Sequence, residues 1–311
     1  MRKLSESFIH NLKAGFLSSI LERIKKDDTL LLAIRDNYIN IYYRGGNILR
    51  IAEDSSGKIY NVAFDEKYDL SEDRTAFFNV NLPKILKEEK DTIAVIKAIP
   101  VLKEIMDFWF YKKHKSEREF QQVIVRENNF EPLSIDTEYF VTDIEVADKE
   151  LKARFDLSAI KWNAGDRKIF QKCSVAFFEM KYGDDALDGR SGLIKHLDDI
   201  TEFLGNRVKY EQFLESIEIQ FQQLDYLDLL DFNHSKNLKI ELNRESKPEF
   251  VFILANHNPR SAILKSIITS DEFQKKAKSD LFDLRFYHST FAGYALHSKN
   301  MLTLNQFKAL L

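Results

Sequence analysis

The sequence predicts an α/β protein, with helices flanking a mixed central sheet and a small α+β region in front of it. Strand-like and helical patterns alternate in the second part of the chain, which is typical of that class. The run Phe250–Leu254 is wholly apolar, as expected for a strand buried on both faces. Before residue 95, short strand-like runs instead follow one another. These observations predict a first region over residues 1–95 and a second over residues 96–311.

Composition places the chain among ordinary globular proteins. Of its 311 residues, 44% are hydrophobic and 31% are charged, a balance unlike that of disordered or membrane proteins. The 46 basic and 49 acidic residues give a net charge of −3, so any contact with nucleic acid must depend on local patches. The single cysteine, Cys173, excludes an internal disulfide and fits a reducing cytoplasm, where we expect a buried, inert thiol.

The first region begins with the pattern of one amphipathic helix between Leu4 and Lys26. Polar residues interrupt its apolar ones, so we expect neither a signal peptide nor a membrane span, and a cytoplasmic protein. Four strand-like runs follow, at Thr29–Ala33, Tyr38–Tyr43, Ile48–Ile51 and Ile59–Phe64. The turn Arg44-Gly45-Gly46 predicts a tight hairpin, because the Gly-x-x-x-x-Gly-Lys pattern of a phosphate loop is absent.

A helical pattern occupies residues 95–128. Pro100 is expected near the start of the first helix, since proline is tolerated in a first turn. The basic cluster Lys112–Lys115 separates this helix from a second one at about residues 117–128, which Ser116 is placed to cap.

The runs Tyr139–Val146 and Lys152–Trp162 predict an antiparallel hairpin. Asp156 lies in the middle of the second run, among apolar residues. A carboxylate in such a strand costs free energy unless it is paired or binds a cation. Asp156 is therefore a candidate functional residue on physical grounds alone.

The next strand, at about residues 172–181, ends in Glu179-Met180-Lys181. Side chains two residues apart in a strand share a face, so Glu179 and Lys181 project together. If the strand of Asp156 is its neighbour, two carboxylates and one ammonium group meet at a sheet edge. Two carboxylates can hold Mg²⁺ through oxygen ligands, and a lysine can orient a metal-bound water or help it lose a proton. This is the minimum equipment for hydrolysing a phosphodiester.

A long helix is predicted from about Ser191 into the 220s, with Gly205 as its candidate break. Its buried stripe consists of Leu193, Leu197, Ile200, Phe203 and Leu204. After Phe250–Leu254, a helix from about Ser261 and strands near Leu284–Tyr287 and Gly293–His297 are expected to complete the sheet.

An acidic residue in one strand and Glu-x-Lys in the next resembles the motif of the PD-(D/E)XK nuclease superfamily, which includes many restriction and repair endonucleases. Asp156, Glu179 and Lys181 match this motif, and the resemblance covers about residues 115–215. Phe155 stands where the family has proline, at a position that binds nothing. The resemblance implies a restriction-endonuclease-like sheet and a metal-dependent endonuclease, with DNA favoured over RNA and restriction or phage defence as its role.

By the same resemblance, Asp156, Glu179 and the Met180 carbonyl would bind Mg²⁺ or Mn²⁺, and Lys181 would orient the attacking water. The family often adds a helix glutamate, for which Glu119 is the candidate; a solvated surface glutamate is the alternative interpretation. Other carboxylates that could serve are Glu117, Glu127 and, as either a metal-site residue or a salt-bridge partner, Glu145. The candidates for substrate binding are Arg190, Ser191, Lys195 and His196. An ordinary surface or core histidine is the alternative for His196.

A second hypothesis is a catalytically inactive protein that keeps the nuclease fold as a nucleic-acid-binding or assembly module, because fold does not determine function. The presence of Asp156, Glu179 and Lys181 together favours the enzyme. A third hypothesis, chance charges on unrelated strands, would place Asp156 and Glu179 far apart or on opposite faces. The expected partners are DNA, held in part by the N-terminal region or by Lys112–Lys115, and either a second copy of the chain or a larger defence complex; no membrane is expected.

Overall fold

The computed structural model describes residues 2–68, 80–130, 137–148, 153–167, 172–232, 239–256, 262–289, 296 and 298–310. Within these ranges the chain is mixed α/β, with nine α-helices and two five-stranded sheets. It divides into two compact units. The first unit consists of Met1–Gln122 with Gln223–Leu229, and the second consists of Val123–Gln222 with Leu230–Leu311.

The first unit contains an antiparallel sheet in which each strand pairs with the next one along the chain. Its strands are β1 (Leu30–Ile34), β2 (Tyr38–Tyr43), β3 (Gly46–Glu53), β4 (Tyr60–Ala63) and β5 (Ile85–Leu86). The helices are α1 (Glu6–Lys13), α2 (Ser18–Lys25) and α3 (Glu89–Lys112), and α4 (Ser116–Asn129) passes from the first unit into the second. The structure thus contains the predicted four-stranded meander, with β5 as an additional edge strand.

The predicted division near residue 95 lies inside α3, and the units divide after Gln122 instead. The reason is that α3 packs against α2 and β3, which makes the whole helix part of the first unit. The helical pattern at residue 95 belongs to the second turn of α3 and does not mark the end of a compact body.

The N-terminal helix predicted as one element is two helices, α1 and α2, separated by a turn. Gly15 donates its amide to the carbonyls of His10 and Asn11, and this closes α1. A Cβ on Gly15 would come within 2.8 Å of the Asn11 Cα atom, so the turn is tight enough to favour glycine. Of the apolar stripe of the predicted helix, Leu12, Leu17, Ile20, Leu21 and Ile24 are nevertheless buried, and Phe16 is half-buried.

Pro100 lies in the middle of α3 rather than near its start, so that expectation was wrong. The helix begins a full three turns earlier, because Glu88 and Asp91 form a reciprocal capping box at its N-terminus. The packing of α3 on its neighbours offsets the hydrogen bond that a proline removes from a helix interior.

The turn between β2 and β3 is the predicted tight hairpin. Tyr43 pairs with Gly46, which leaves Arg44 and Gly45 as the two central residues. Both have positive φ angles, of 50° and 70° respectively. This is the backbone geometry of the two-residue turns that match the twist of a hairpin.

Residues 223–229 complete the first unit although they come a hundred residues after its main part. The Gln223 side chain makes two reciprocal hydrogen bonds of 2.9 Å with the backbone N–H and carbonyl of Leu4. Asp228 accepts from Lys13 at 2.5 Å and from Lys25 at 3.1 Å. Polar contacts therefore fix this returning segment to the N-terminal helices.

The second unit contains the predicted mixed sheet, in the order β10-β9-β8-β7-β6. The strands are β6 (Tyr139–Asp148), β7 (Ala153–Lys161), β8 (Ser174–Tyr182), β9 (Glu249–Ala255) and β10 (Asp283–Ser289). The pairs β6–β7 and β7–β8 are antiparallel, whereas β8–β9 and β9–β10 are parallel. The strand expected at Gly293–His297 falls, apart from Leu296, outside the described residues.

The helices of the second unit are α5 (Leu193–Gly205), α6 (Arg207–Tyr226, whose last turn belongs to the first unit), α7 (Ala262–Thr269), α8 (Asp271–Ala277) and α9 (Leu304–Lys308). The predicted break at Gly205 is present, because α5 ends there and α6 begins two residues later.

Aromatic rings join these helices to the sheet. The Phe177 ring of β8 stacks on Phe213 at 5.1 Å and meets Phe203 of α5 edge-on at 5.8 Å.

Cys173 lies in the core of the second unit, as expected, and burial raises the pKa of its thiol to about 12. A thiol with that pKa stays protonated at neutral pH and is a poor nucleophile. No helix among the described residues has both the length and the apolar character needed to cross a lipid bilayer.

Replacing Gly45 with alanine is expected to destabilise the protein more than the same change at Gly183. Both glycines have φ angles near +70°, which cost alanine about 1 kcal/mol. A Cβ at Gly45 would lie 2.2 Å from the Arg118 carbonyl oxygen, whereas a Cβ at Gly183 would meet nothing within 4 Å. We therefore expect Gly45→Ala to lose roughly 1–3 kcal/mol more than Gly183→Ala in urea unfolding. Equal losses would contradict the close approach of the hairpin to α4.

Candidate functional site

Strand β8 places Glu179 and Lys181 on one face of the sheet, as the sequence predicts. The strand lies between β7 and β9, in the middle of the sheet, and both residues are only 4% exposed. The Lys181 Nζ atom donates to the Glu179 Oε1 atom at 2.8 Å. The pair is therefore a buried ion pair formed within one strand.

Asp156 reaches β8 from the neighbouring strand. The backbone pairing between β7 and β8 ends at Leu157 and Phe178, and Asp156 is the next residue of β7 beyond that pair. At that point the Asp156 Oδ2 atom accepts the backbone N–H of Met180 at 2.8 Å, so a side chain takes over where the backbone pairing stops. This contact connects Asp156 to the residue between Glu179 and Lys181.

His196 of α5 completes the cluster. Its Nε2 atom lies 2.9 Å from Glu179 Oε1, 3.0 Å from Lys181 Nζ and 3.1 Å from the Ser191 carbonyl oxygen. A ring nitrogen carries either a hydrogen or a lone pair, so it can donate to Glu179 or to Ser191, or else accept from Lys181. The structure thus places His196 in contact with both charged groups of β8.

The charge on Glu179 is stabilised against its burial. Burial alone would raise the pKa of this carboxyl, but the hydrogen bond and charge of His196, together with Lys181, outweigh it and hold the pKa below the ordinary 4.5. Because the folded-state pKa is depressed, this stabilisation is complete above the unfolded-state pKa near 4.5 and is lost as the pH falls through the lower folded value. At neutral pH Glu179 is an ionised carboxylate.

Two buried polar atoms of the cluster have no hydrogen-bond partner among the described residues, namely Glu179 Oε2 and His196 Nδ1. Native proteins leave few such atoms unsatisfied, and a missing water or ion is a common explanation. Carboxylate oxygens are suitable ligands for a hard cation such as Mg²⁺ or Mn²⁺. Asp156 and Glu179 thus fit such an ion in chemical type, although the described residues contain no cluster of three or more His, Cys, Asp or Glu side chains that could hold a metal.

Three of the other predicted carboxylates, Glu119, Glu127 and Glu145, have basic partners. Glu119 binds Arg44 through two hydrogen bonds, of 2.8 and 3.2 Å, within the first unit. Glu145 accepts from Arg154 at 2.8 Å, and Glu127 pairs with Arg126 at 2.6 Å. Each of these carboxylates thus lies in a salt bridge, and for Glu145 this is the alternative that the sequence analysis gave beside a metal-site role.

The candidates for substrate binding lie in the turn Gly189–Ser191 and in the first turn of α5. Ser191 is exposed, and its carbonyl oxygen is the one near His196. Lys195 is exposed and pairs with Asp199 one turn further along the helix. The Arg190 side chain falls outside the described part of the structure.

Sequence reasoning placed His196 among the substrate-binding candidates and missed its contacts with Glu179 and Lys181. A signal for its burial was available, since His196 is three residues after Leu193 and four before Ile200 on the apolar stripe of α5. A histidine on such a stripe needs a polar partner in the core.

No family model, no curated protein and no solved structure matches the chain.

Removing either partner of the buried ion pair is expected to destabilise the protein strongly, because the remaining charge is left uncompensated. We expect Glu179→Gln and Lys181→Met each to lose about 3–5 kcal/mol of unfolding free energy in urea. The double variant should lose much less than the sum of the two single losses. Strictly additive losses would contradict the contact.

The partly exposed pair Lys172 and Asp166 of the second unit, 3.0 Å apart, is the matched control. Lys172→Met should change the unfolding free energy by no more than about 1 kcal/mol, since water screens such pairs.

Proposed function

We propose that the protein is a metal-dependent phosphodiesterase, an endonuclease that cleaves DNA. The observation that carries this proposal is the cluster on β8, in which Glu179 and Lys181 share a face and Asp156 joins them through the Met180 amide. The same arrangement is what a resemblance to the PD-(D/E)XK superfamily implies, and the mixed sheet with α5 following β8 agrees with a restriction-endonuclease-like fold.

Asp156 and Glu179, with the Met180 carbonyl, are the proposed ligands of Mg²⁺ or Mn²⁺. A bound cation would supply a Lewis acid for the phosphate and a water of lowered pKa. Glu179 would contribute its Oε2 atom, because Oε1 is already shared by Lys181 and His196. The substrate is anionic, so two carboxylates without a cation would repel it.

Lys181 would orient the attacking water and place a positive charge beside the phosphate as negative charge builds up on it. His196 is proposed as a positioning residue, because its Nε2 atom contacts both Glu179 and Lys181 and so limits where the ammonium group can lie. Arg190, Ser191 and Lys195 remain the proposed contacts to the DNA strand. A cytoplasmic role in restriction or phage defence, as a homodimer or in a larger complex, completes the proposal.

A second candidate function is a nucleic-acid-binding or assembly module without catalysis. The observation that favours it is the burial of the cluster, since Asp156, Glu179, Lys181 and His196 are all less than 10% exposed. Because so little of their surface is exposed, these four side chains offer a phosphate group little room for contact. The following experiment separates the two functions.

Cleavage of plasmid and linear DNA in Mg²⁺ or Mn²⁺ is expected for the wild type and should be abolished by EDTA. Asp156→Asn, Glu179→Gln and Lys181→Met should each reduce the rate on the order of a hundredfold or more, since each removes a proposed ligand or charge. Glu249→Gln is the matched control. Glu249 is a second buried carboxylate in the same sheet, paired with Lys161 at 2.9 Å, and its loss should leave the rate per folded molecule unchanged.

DNA binding by the wild type without any cleavage would contradict the proposed nuclease activity and favour the binding module. A Glu249→Gln variant as inactive as Glu179→Gln would show that cleavage depends on fold stability rather than on the cluster. A check of folding by circular dichroism accompanies every variant.

His196→Ala is expected to lower kcat about 10- to 100-fold with little change in KM, as typically follows when a residue that orients a metal-site group is lost. His196→Gln should recover part of the loss, because an amide can also bond to Glu179 or Lys181. The measurement is steady-state cleavage of a short labelled duplex. A kcat equal to that of the wild type in His196→Ala would rule out the positioning role.

A further inference from the structure

The eight residues Phe108–Lys115 consist of four aromatic residues followed by four basic ones. The structure divides the aromatic residues between two environments. Trp109 and Phe110 are buried, whereas Phe108 is 52% exposed and Tyr111 is 79% exposed. We call the exposed part of this segment, together with Lys112–Lys115, the 108–115 surface.

The buried residues hold this segment firmly. The Trp109 ring meets Tyr68 and Phe110 edge-on, each at 5.1 Å between centroids. The Arg44 guanidinium lies 5.1 Å from the centre of the Phe110 ring, and it is itself fixed by Asp107 and Glu119. The backbone that carries the exposed rings is therefore held in place by its packed neighbours, which lowers the entropy cost of binding a ligand there.

The charge of the 108–115 surface is positive. Lys112, Lys113, His114 and Lys115 are all exposed, and the Lys113 ammonium group lies 5.7 Å from the centre of the Trp109 ring. The adjacent Asp107 is already engaged by Arg44 and by the Tyr43 hydroxyl. Lysines at the end of a helix are favourable in themselves because of the helix dipole. That effect explains the lysines but not the two exposed rings beside them.

We propose that the 108–115 surface binds an unpaired nucleic-acid strand, with bases stacked on Tyr111 and Phe108 and phosphates on the lysines. Exposed aromatic rings with interleaved positive charge are the equipment with which proteins hold single strands, because every unpaired base offers a face for stacking. The bases of a duplex are already stacked on one another, so a duplex could use only the lysines. With a net charge of −3, the protein needs a local patch of this kind to hold a polyanion.

The test is fluorescence anisotropy of a short labelled single-stranded oligonucleotide, titrated with the full-length protein in EDTA. Tyr111→Ser is expected to weaken binding roughly 5- to 100-fold, the usual effect of losing one stacked base. Tyr226→Ser is the matched control, because Tyr226 is 53% exposed and also has a lysine, Lys13, near its ring. That control should bind as the wild type does.

The lysines have their own measurement, the dependence of affinity on salt. Lys113→Ala and Lys115→Ala should each reduce the slope of log K against log salt by about 0.7, the value for one phosphate contact on a single strand. Unchanged slopes in both variants would overturn the assignment of phosphates to these lysines.

Equal affinity of Tyr111→Ser and wild type for the oligonucleotide would overturn the proposal. So would an equally large loss of duplex affinity in Tyr111→Ser, since the bases of a duplex are not free to stack on the ring. Tighter binding of anionic lipid vesicles or of an acidic peptide would overturn it as well, since each identifies a different partner. The experiment needs no catalysis, so failure of the nuclease proposal in the cleavage assay would leave this result intact.

Discussion

A carboxylate inside a protein stays ionised only if protein groups replace the water that it has lost. Glu179 is in this position, because it lies in the middle strand of a sheet and has almost no contact with solvent. Lys181, from the same strand, and His196, from α5, supply the replacement. The position of α5 is thus connected to the charge on β8, and a shift of the helix would expose or unpair that charge. The electrostatics of the candidate site therefore depend on how the helix and the sheet of the second unit pack together.

Much of the fold could be predicted from local pattern. The bounds of β2 and the break between α5 and α6 at Gly205 follow from turn residues and from alternation, which act over a few positions. The turn between α1 and α2 was missed because their apolar residues continue one helical stripe across it. Pro100 was expected near the start of a helix because a proline disfavours the helix interior. It lies in the interior of α3 because tertiary packing, which no local rule describes, offsets that cost.

The candidate site was predictable to the extent that it is local. The contact between Glu179 and Lys181 follows from the two-residue period of a strand. The contact between Asp156 and the Met180 amide depends on where the ladder between two strands ends, and no pattern within either strand specifies that point. The contact of His196 depends on the angle and distance at which α5 packs on the sheet. Periodicity indicates which face of a helix is buried but not which residue it meets.

The returning segment 223–229 has a consequence for how the chain acquires its structure. Gln223 bonds to Leu4 across 219 residues, so the first unit cannot be completed until β6, β7, β8 and α5 have already been synthesised. Domains made from one continuous stretch can fold as soon as they leave the ribosome. The first unit cannot follow that order, and its N-terminal helices must wait for a partner made much later. A protein divided after residue 122 would therefore separate two parts of one compact body, with Lys13 and Lys25 in one fragment and Asp228 in the other.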